Sequence, residues 1–205
     1  MERIECIAWD FDGVLNKGVE NGRFVWQDLL QPKMGIEPKS FARFVFGDDF
    51  WPVMRGEKDV LDHLHDWKAH SGYQGDVTDV LQFWFDEDAK PCPDMLGLMD
   101  RVRNAGLRQV IATNNEHRRS HYIEHDMGFG SRVETVFSSG RMKVAKPDEG
   151  YFRHIEDAMG LKPDQMMLVD DYAENIEAAE ACGWHVHHFP ENGHSALADR
   201  LAEIL

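Results

Sequence analysis

Asp10-Phe11-Asp12-Gly13 sets two carboxylates two residues apart, directly after the short apolar run from Ile4 to Trp9. A strand ending at Trp9 would project Asp10 into a crevice beyond the sheet, where its carboxylate could attack an electrophilic centre. If the chain stays extended, Asp12 lies on the same side. It could then protonate a leaving group and later deprotonate an attacking water. Carboxylate nucleophiles of this kind pass phosphoryl groups through a covalent acyl-phosphate. Farther along, Asp170-Asp171 adds two carboxylates. With Asp10 they would repel each other and any phosphate dianion in a partly dry crevice. A hard divalent cation relieves that repulsion, and oxygen-only ligands point to Mg²⁺. Thr113 offers a hydroxyl and Asn114 a backbone N–H at the start of a helix, a cradle for phosphoryl oxygens. Lys146 supplies a cation for the transferring group.

Five strands have to carry these groups. Ile4 to Trp9, Leu107 to Ala112, Val133 to Phe137, Met166 to Val169 and Trp184 to Phe189 are short and apolar, and the first four end in polar residues. Helical patterns separate them: Asp94 to Asn104, Asp148 to Met159 closed by Gly160, Tyr172 to Ala181 closed by Gly183, and Ser195 to the C-terminus. Strands alternating with helices predict an α/β fold, a doubly wound (Rossmann-like) parallel sheet covered on both faces. In such sheets the strand carboxyl ends form the ligand crevice, so Asp10, Thr113, Lys146 and Asp170 converge although 160 positions separate the first from the last.

Residues 16–90 break the rhythm. No strand alternation stands out there, while Lys39 to Phe46, Glu57 to Ala69 and Asp76 to Asp88 read as helices. Pro91-Cys92-Pro93 punctuates the return. The simplest organisation is a core of residues 1–15 and 91–205 with a helical cap, 16–90, inserted after the first strand. Val80 to Phe85 is dense in large apolar residues and reads chiefly as packing inside that insertion, with a substrate-facing wall as the other assignment.

The chain has 205 residues, 22 Lys+Arg against 37 Asp+Glu and a formal charge of −15. That acidity argues against nucleic-acid and anionic-membrane partners, which need a basic stripe. Cys6, Cys92 and Cys182 are widely spaced without CxxC, which suggests no disulfide framework and no zinc cluster. Met1-Glu2-Arg3-Ile4-Glu5 has no apolar leader core, and no stretch nears the roughly 18 apolar residues of a membrane span. A cytoplasmic protein is expected. His117, His121 and His125 would share one helical face and His185 and His187 one strand face, and both sets read as surface histidines.

The ordered motifs Asp10-Phe11-Asp12-Gly13-Val14-Leu15, Thr113-Asn114-Asn115, Lys146-Pro147-Asp148 and Val169-Asp170-Asp171-Tyr172-Ala173-Glu174-Asn175 resemble the haloacid dehalogenase superfamily. The insertion resembles the small helical cap of the branch with sugar-phosphate phosphatases and β-phosphoglucomutase. The resemblance implies Asp10 as nucleophile and Asp12 as general acid/base. It puts Thr113, Asn114 and Lys146 on phosphate, and Asp10, the Asp12 carbonyl, Asp170 and Asp171 on Mg²⁺. Asn175 matches a polar position after the acidic pair, and Lys143 is a rival for Lys146. The function expected is a Mg²⁺-dependent phosphatase that hydrolyses a small phosphomonoester, a sugar phosphate or similar metabolite, through an aspartyl-phosphate intermediate. A phosphotransferase or mutase, a 2-haloacid dehalogenase and a catalytically silent binding protein are the alternatives. Asn16, Lys17, Arg23, Phe24 and Trp26 are candidates to face the leaving group, and Lys33, Arg43, Arg55 and Lys58 read chiefly as solvated surface charges, with binding of a second charge on the substrate as the other assignment.

Overall fold

The computed structural model describes residues 4–20, 23–190 and 193–205. Met1, Glu2 and Arg3, part of the leader argument, lie outside them. The chain opens with β1 (Cys6–Trp9). A two-stranded antiparallel ribbon follows, β2 (Val19–Glu20) and β3 (Arg23–Phe24), then the helices α1 (Leu30–Met34), α2 (Pro38–Val45), α3 (Trp51–Met54), α4 (Val60–Ser71) and α5 (Val77–Asp88). The remainder alternates: α6 (Pro93–Asn104), β4 (Arg108–Thr113), α7 (His117–His125), β5 (Thr135–Ser138), α8 (Ser139–Met142), α9 (Glu149–Met159), β6 (Met166–Asp170), α10 (Ala173–Ala181), β7 (His185–His188) and α11 (His194–Ile204).

The five strands β5-β4-β1-β6-β7 form one sheet in that order, parallel at every pairing. β1 is central, its Trp9 opposite Ile111 on one side and Val169 on the other. Alternating side chains of β1 feed two cores. Ile7 and Trp9 pack with Met95, Leu98, Leu197 and Leu201 of α6 and α11, while Cys6 and Ala8 pack with Tyr151, Phe152 and Ile155 of α9. This is the doubly wound arrangement expected from the alternation, because a parallel strand is apolar on both faces.

The insertion has its own core, in which Trp26, Phe41, Val45, Leu64, Val80 and Trp84 are buried. Its two longest helices start at acidic caps. Asp76 accepts the Thr78 N–H at 2.8 Å, and Asp59 accepts the Leu61 N–H at 2.8 Å. Each such cap contributes about 1 kcal/mol. The Asp59 cap also moves the start of α4 from the expected Glu57 to Val60. Two further expectations change: the ribbon β2–β3 supplies strand pairing where none was read, and α8 continues β5 without a loop. Both are too short for periodicity to reveal.

The chain leaves and re-enters the core at one place. Leu15 O accepts the Cys92 N–H at 2.8 Å, Lys17 N–H donates to Lys90 O at 2.8 Å, and Asn16 bridges Pro91 in antiparallel fashion. No helix among the described residues is long and apolar enough to cross a membrane.

Candidate active site

β1, β4 and β6 end side by side, so Asp10, Thr113 and Asp170 meet at the carboxyl edge of the sheet, and the loop before α9 brings in Lys146. Lys146 is buried, and its three donors are all engaged: Asp10 Oδ1 at 2.9 Å, Asp170 Oδ2 at 2.5 Å and Ala112 O at 2.7 Å. Burial opposes its charge, yet Asp10 and Asp170 outweigh that and hold the ammonium above an ordinary lysine. For Asp10, burial is the largest effect and pushes the carboxyl well up, with Asp170 and Asp171 adding and Lys146 opposing. Asp171 is pushed up to about 6, first by burial and then by the Asp170 charge. Lys143, the rival, is exposed at the end of α8.

Asp10, Asp170 and Asp171 each present a carboxylate oxygen within 4.8 Å of the others. Three carboxylates face one ammonium, which leaves two negative charges without compensation, the condition a hard divalent cation answers. Gly13 supports the same assignment. Its φ is +89°, and a Cβ there would stand 2.2 Å from Asp171 Oδ2, so only glycine lets the Asp171 carboxylate come this close to the Asp12-Gly13 backbone. The two acids differ in use. Asp170 is saturated by Lys146, the Tyr172 N–H at 2.9 Å and the Asn175 amide at 3.0 and 3.2 Å. Asp171 keeps its carboxylate toward the crevice. The donor set therefore fits a magnesium-type ion.

Asp12 does not lie on an extended chain. The backbone turns at Phe11, whose carbonyl accepts the N–H groups of Leu15 and Asn16 at 2.9 and 2.8 Å. Its carboxylate nonetheless faces the crevice, held by Asn115 Nδ2 at 2.9 Å and Asn16 Nδ2 at 3.2 Å. Asn114 is corrected as well. The helix after β4 begins at His117 with Glu116 as its cap, so the Asn114 N–H is not a helix terminus. Its side chain instead grips the Lys146 backbone, donating to Lys146 O at 2.8 Å and accepting from Lys146 N at 2.9 Å. Thr113 Oγ1 accepts from Asn115 Nδ2 at 2.7 Å.

One chamber of about 400 Å³ is lined by Asp10, Asp12, Thr113, Asn114, Lys146 and Asp171, while Asp170 lies behind it, fully buried. All seven residues singled out from the sequence are thus brought together. Missed were Asn115, Arg119 and Asp88. Arg119 is buried, donates to Asp88 at 2.6 Å and stands 3.9 Å from Asp12 Oδ1. The available signal was its place on the same face of α7 as buried Ile123, where a charge requires a partner.

Of the residues expected to face a leaving group, Arg23 and Phe24 line a second cavity that adjoins Asp12. Trp26 and Asn16 are wholly buried, Trp26 in the insertion's core and Asn16 bonded to Asp88 O at 2.8 Å and Lys90 N at 2.7 Å. Lys17 pairs with Asp94 at 3.9 Å. Trp84 both packs that core and lines the second cavity. Away from the crevice, Cys92 Sγ lies 3.3 Å from His194 Nε2, with Asp94 nearby, a proximity that the cysteine spacing did not disclose. His117, His121 and His125 are exposed on α7.

A phosphoglycolate phosphatase of Neisseria gonorrhoeae is 21% identical over 190 residues, covering 89% of this chain and 78% of that protein. A haloacid dehalogenase family enzyme of Bacteroides thetaiotaomicron, solved with magnesium and inorganic phosphate, superposes with a TM-score of 0.73 at 16% identity, over 90% of this chain and 93% of that one. An L-2-haloacid dehalogenase of Xanthobacter autotrophicus gives 0.67 at 17% identity, over 97% and 82%. Both solved structures share the fold, and the sequence model of haloacid dehalogenase-like hydrolases matches residues 4–183. This chain belongs to the haloacid dehalogenase-like hydrolase family.

Proposed function

We propose that this chain is a magnesium-dependent phosphatase that hydrolyses a phosphomonoester through an aspartyl-phosphate on Asp10. The observation that carries the reading is the meeting of Asp10 with Lys146 and the acidic pair at the floor of one chamber. In the first step an Asp10 carboxylate oxygen attacks phosphorus and the ester P–O bond breaks, while Asp12 gives its proton to the departing alcohol oxygen. In the second step Asp12 takes a proton from water, the water oxygen attacks phosphorus, and the bond to Asp10 breaks to release phosphate and the free carboxylate. Asn115 and Asn16 orient Asp12 for both steps. Thr113 faces the phosphoryl oxygens, and Lys146, positioned by the Asn114 grip on its backbone, supplies positive charge beside Asp10. Mg²⁺ would be held by Asp10, Asp171 and the Asp12 carbonyl, with Asp170 behind them, and would supply positive charge to offset the negative charge on the phosphoryl oxygens. The helical segment 16–90 acts as a cap over the chamber.

The relative named as a phosphatase and the structural neighbour holding magnesium with phosphate support this reading. Dehalogenation, suggested by the other neighbour, needs neither an acid for the halide nor a metal. It would leave Asp12 with its two amide partners and the crowded acidic trio without a task. The test is turnover of p-nitrophenyl phosphate with and without Mg²⁺, together with mass spectrometry of protein quenched during turnover. One phosphoryl group on Asp10, and no turnover in Asp10→Asn, are expected. An Asn variant with full activity overturns the mechanism.

A further inference from the structure

Beyond Asp12 and Asn114 the chamber opens into a cavity of about 480 Å³ between the insertion and the core, a size typical of small-molecule sites. Asp12, Phe24, Trp51 and Asn114 line both spaces, so a molecule whose phosphoryl group sits at Asp10 extends its alcohol portion into this cavity. The wall there is built of Phe24, Phe46, Phe50, Trp51, Met54 and Trp84. Trp51, half exposed, stands where the two spaces join.

The polar groups are few and their chemistry is specific. Gln27 is only 8% exposed and lines the cavity, and its side chain has no hydrogen-bond partner among the described residues. Glu116 is a buried acid on the same wall. The cation on this wall, Arg23, is already clamped by Asp28 through two hydrogen bonds of 2.5 and 2.8 Å. A second anionic group on the substrate would be buried in apolar surroundings with no uncommitted cation among the described lining residues, a costly burial. Flat aromatic walls reward a ring or an apolar body of comparable breadth, and one amide suits one neutral hydroxyl or carbonyl.

We propose that the alcohol portion of the substrate is neutral and predominantly apolar, an aromatic ring system or a group of similar breadth with at most one neutral polar substituent, and that alcohols bearing a carboxylate or a second phosphate are refused. The proposal rests on the phosphatase reading and sharpens it. It also separates this chain from the phosphoglycolate phosphatase it resembles, because glycolate carries a carboxylate.

The experiment compares kcat/KM for 2-naphthyl phosphate, 2-phosphoglycolate and acetyl phosphate in Mg²⁺, and measures 2-naphthol binding by quenching of tryptophan fluorescence. Expected are at least a hundredfold preference for the naphthyl ester over phosphoglycolate, and saturable naphthol binding. Ala42→Phe, which fills the cavity, should weaken naphthol binding tenfold and shift the naphthyl-to-acetyl phosphate ratio by tenfold. Phe50→Ala, which strips one wall, should act in the same direction and stands in if the larger side chain prevents folding. Equal or better turnover of phosphoglycolate overturns the proposal, as does naphthol binding that neither variant changes. If no phosphoester is turned over and Asp10 is never phosphorylated, the phosphatase reading fails, and naphthol binding then decides for or against the apolar cavity by itself.

Discussion

Arg119 of α7 donates to Asp88, the last residue of α5, at 2.6 Å, and the same Nη2 stands 3.9 Å from Oδ1 of Asp12. One buried guanidinium therefore ties the end of the insertion to the proposed acid/base. Phe11, Phe85 and Tyr122 surround it at 5.8, 5.4 and 5.8 Å. Burial pushes Asp88 up to about 8, with the Asp12 charge adding and Arg119 opposing.

Arg119→Met should destabilise the fold by about 3 kcal/mol or more, the usual cost of orphaning a buried charge. The loss should be larger at pH 9 than at pH 6, because at the lower pH the orphaned Asp88 sheds its charge by taking a proton. Adding Asp88→Leu should recover most of it. Urea unfolding of the single and double variants at the two pH values decides this; a double variant no more stable than the single would show that the pair is not the cause.

Asn114→Ala removes both bonds that hold the Lys146 backbone. Displacement of a catalytic cation by about 1 Å can cost about a hundredfold in rate. A fall in kcat of that order on p-nitrophenyl phosphate is expected, with a stability loss of only about 1–3 kcal/mol. Unchanged kcat would remove Asn114 from the catalytic apparatus.

Gly13→Ala forces a Cβ to 2.2 Å from Asp171 Oδ2 at a φ of +89°. The backbone penalty is about 1–2 kcal/mol, and Asp171 has to withdraw. The Mg²⁺ concentration for half-maximal turnover should rise at least tenfold, as should the dissociation constant for Mg²⁺ by calorimetry. Chelation of Mg²⁺ from the unmodified protein should abolish turnover reversibly.

Glu116 accepts the N–H groups of Arg118 and Arg119 at 2.6 and 2.5 Å, yet burial dominates and pushes its carboxyl up to about 7 from 4.5. The folded state then binds the proton more tightly than the unfolded chain. Its contribution to stability is complete below about 4.5 and declines as pH rises toward about 7, by at most about 1.4 kcal/mol per pH unit. Glu116→Gln does not titrate. The melting-temperature advantage of the unmodified protein over the variant should therefore shrink by several degrees between pH 5 and pH 8. An advantage that grows with pH would reverse the assignment.

What could be read from residues alone was what local pattern determines. Asp10, Thr113, Lys146 and Asp170 follow apolar strands or punctuated turns, so their convergence follows from the parallel sheet. Helix starts at Asp76 and Asp148 and the stop at Gly160 are written in capping residues. Partners brought together only by tertiary packing were not legible. Asn115, read only as part of a motif, turns its amide onto Asp12. Asn16, a candidate to face the leaving group, is consumed by Asp12, Asp88 and Lys90. Arg119 lies in a helix so rich in His and Arg that nothing but its shared face with Ile123 marks it as buried.

The adjacent exit and return of the chain at Leu15 and Cys92 also bears on how this protein could be rebuilt. A segment whose two ends are hydrogen-bonded neighbours can lengthen, shorten or be exchanged wholesale without changing the spacing of β1 and α6. Recombination at that junction would set a different insertion against the same strand ends that carry Asp10, Thr113 and Asp170. Asn16, which bonds across the junction to Lys90 and also touches Asp12, and Asp88, which pairs with the buried Arg119, are residues that a transplanted insertion has to keep.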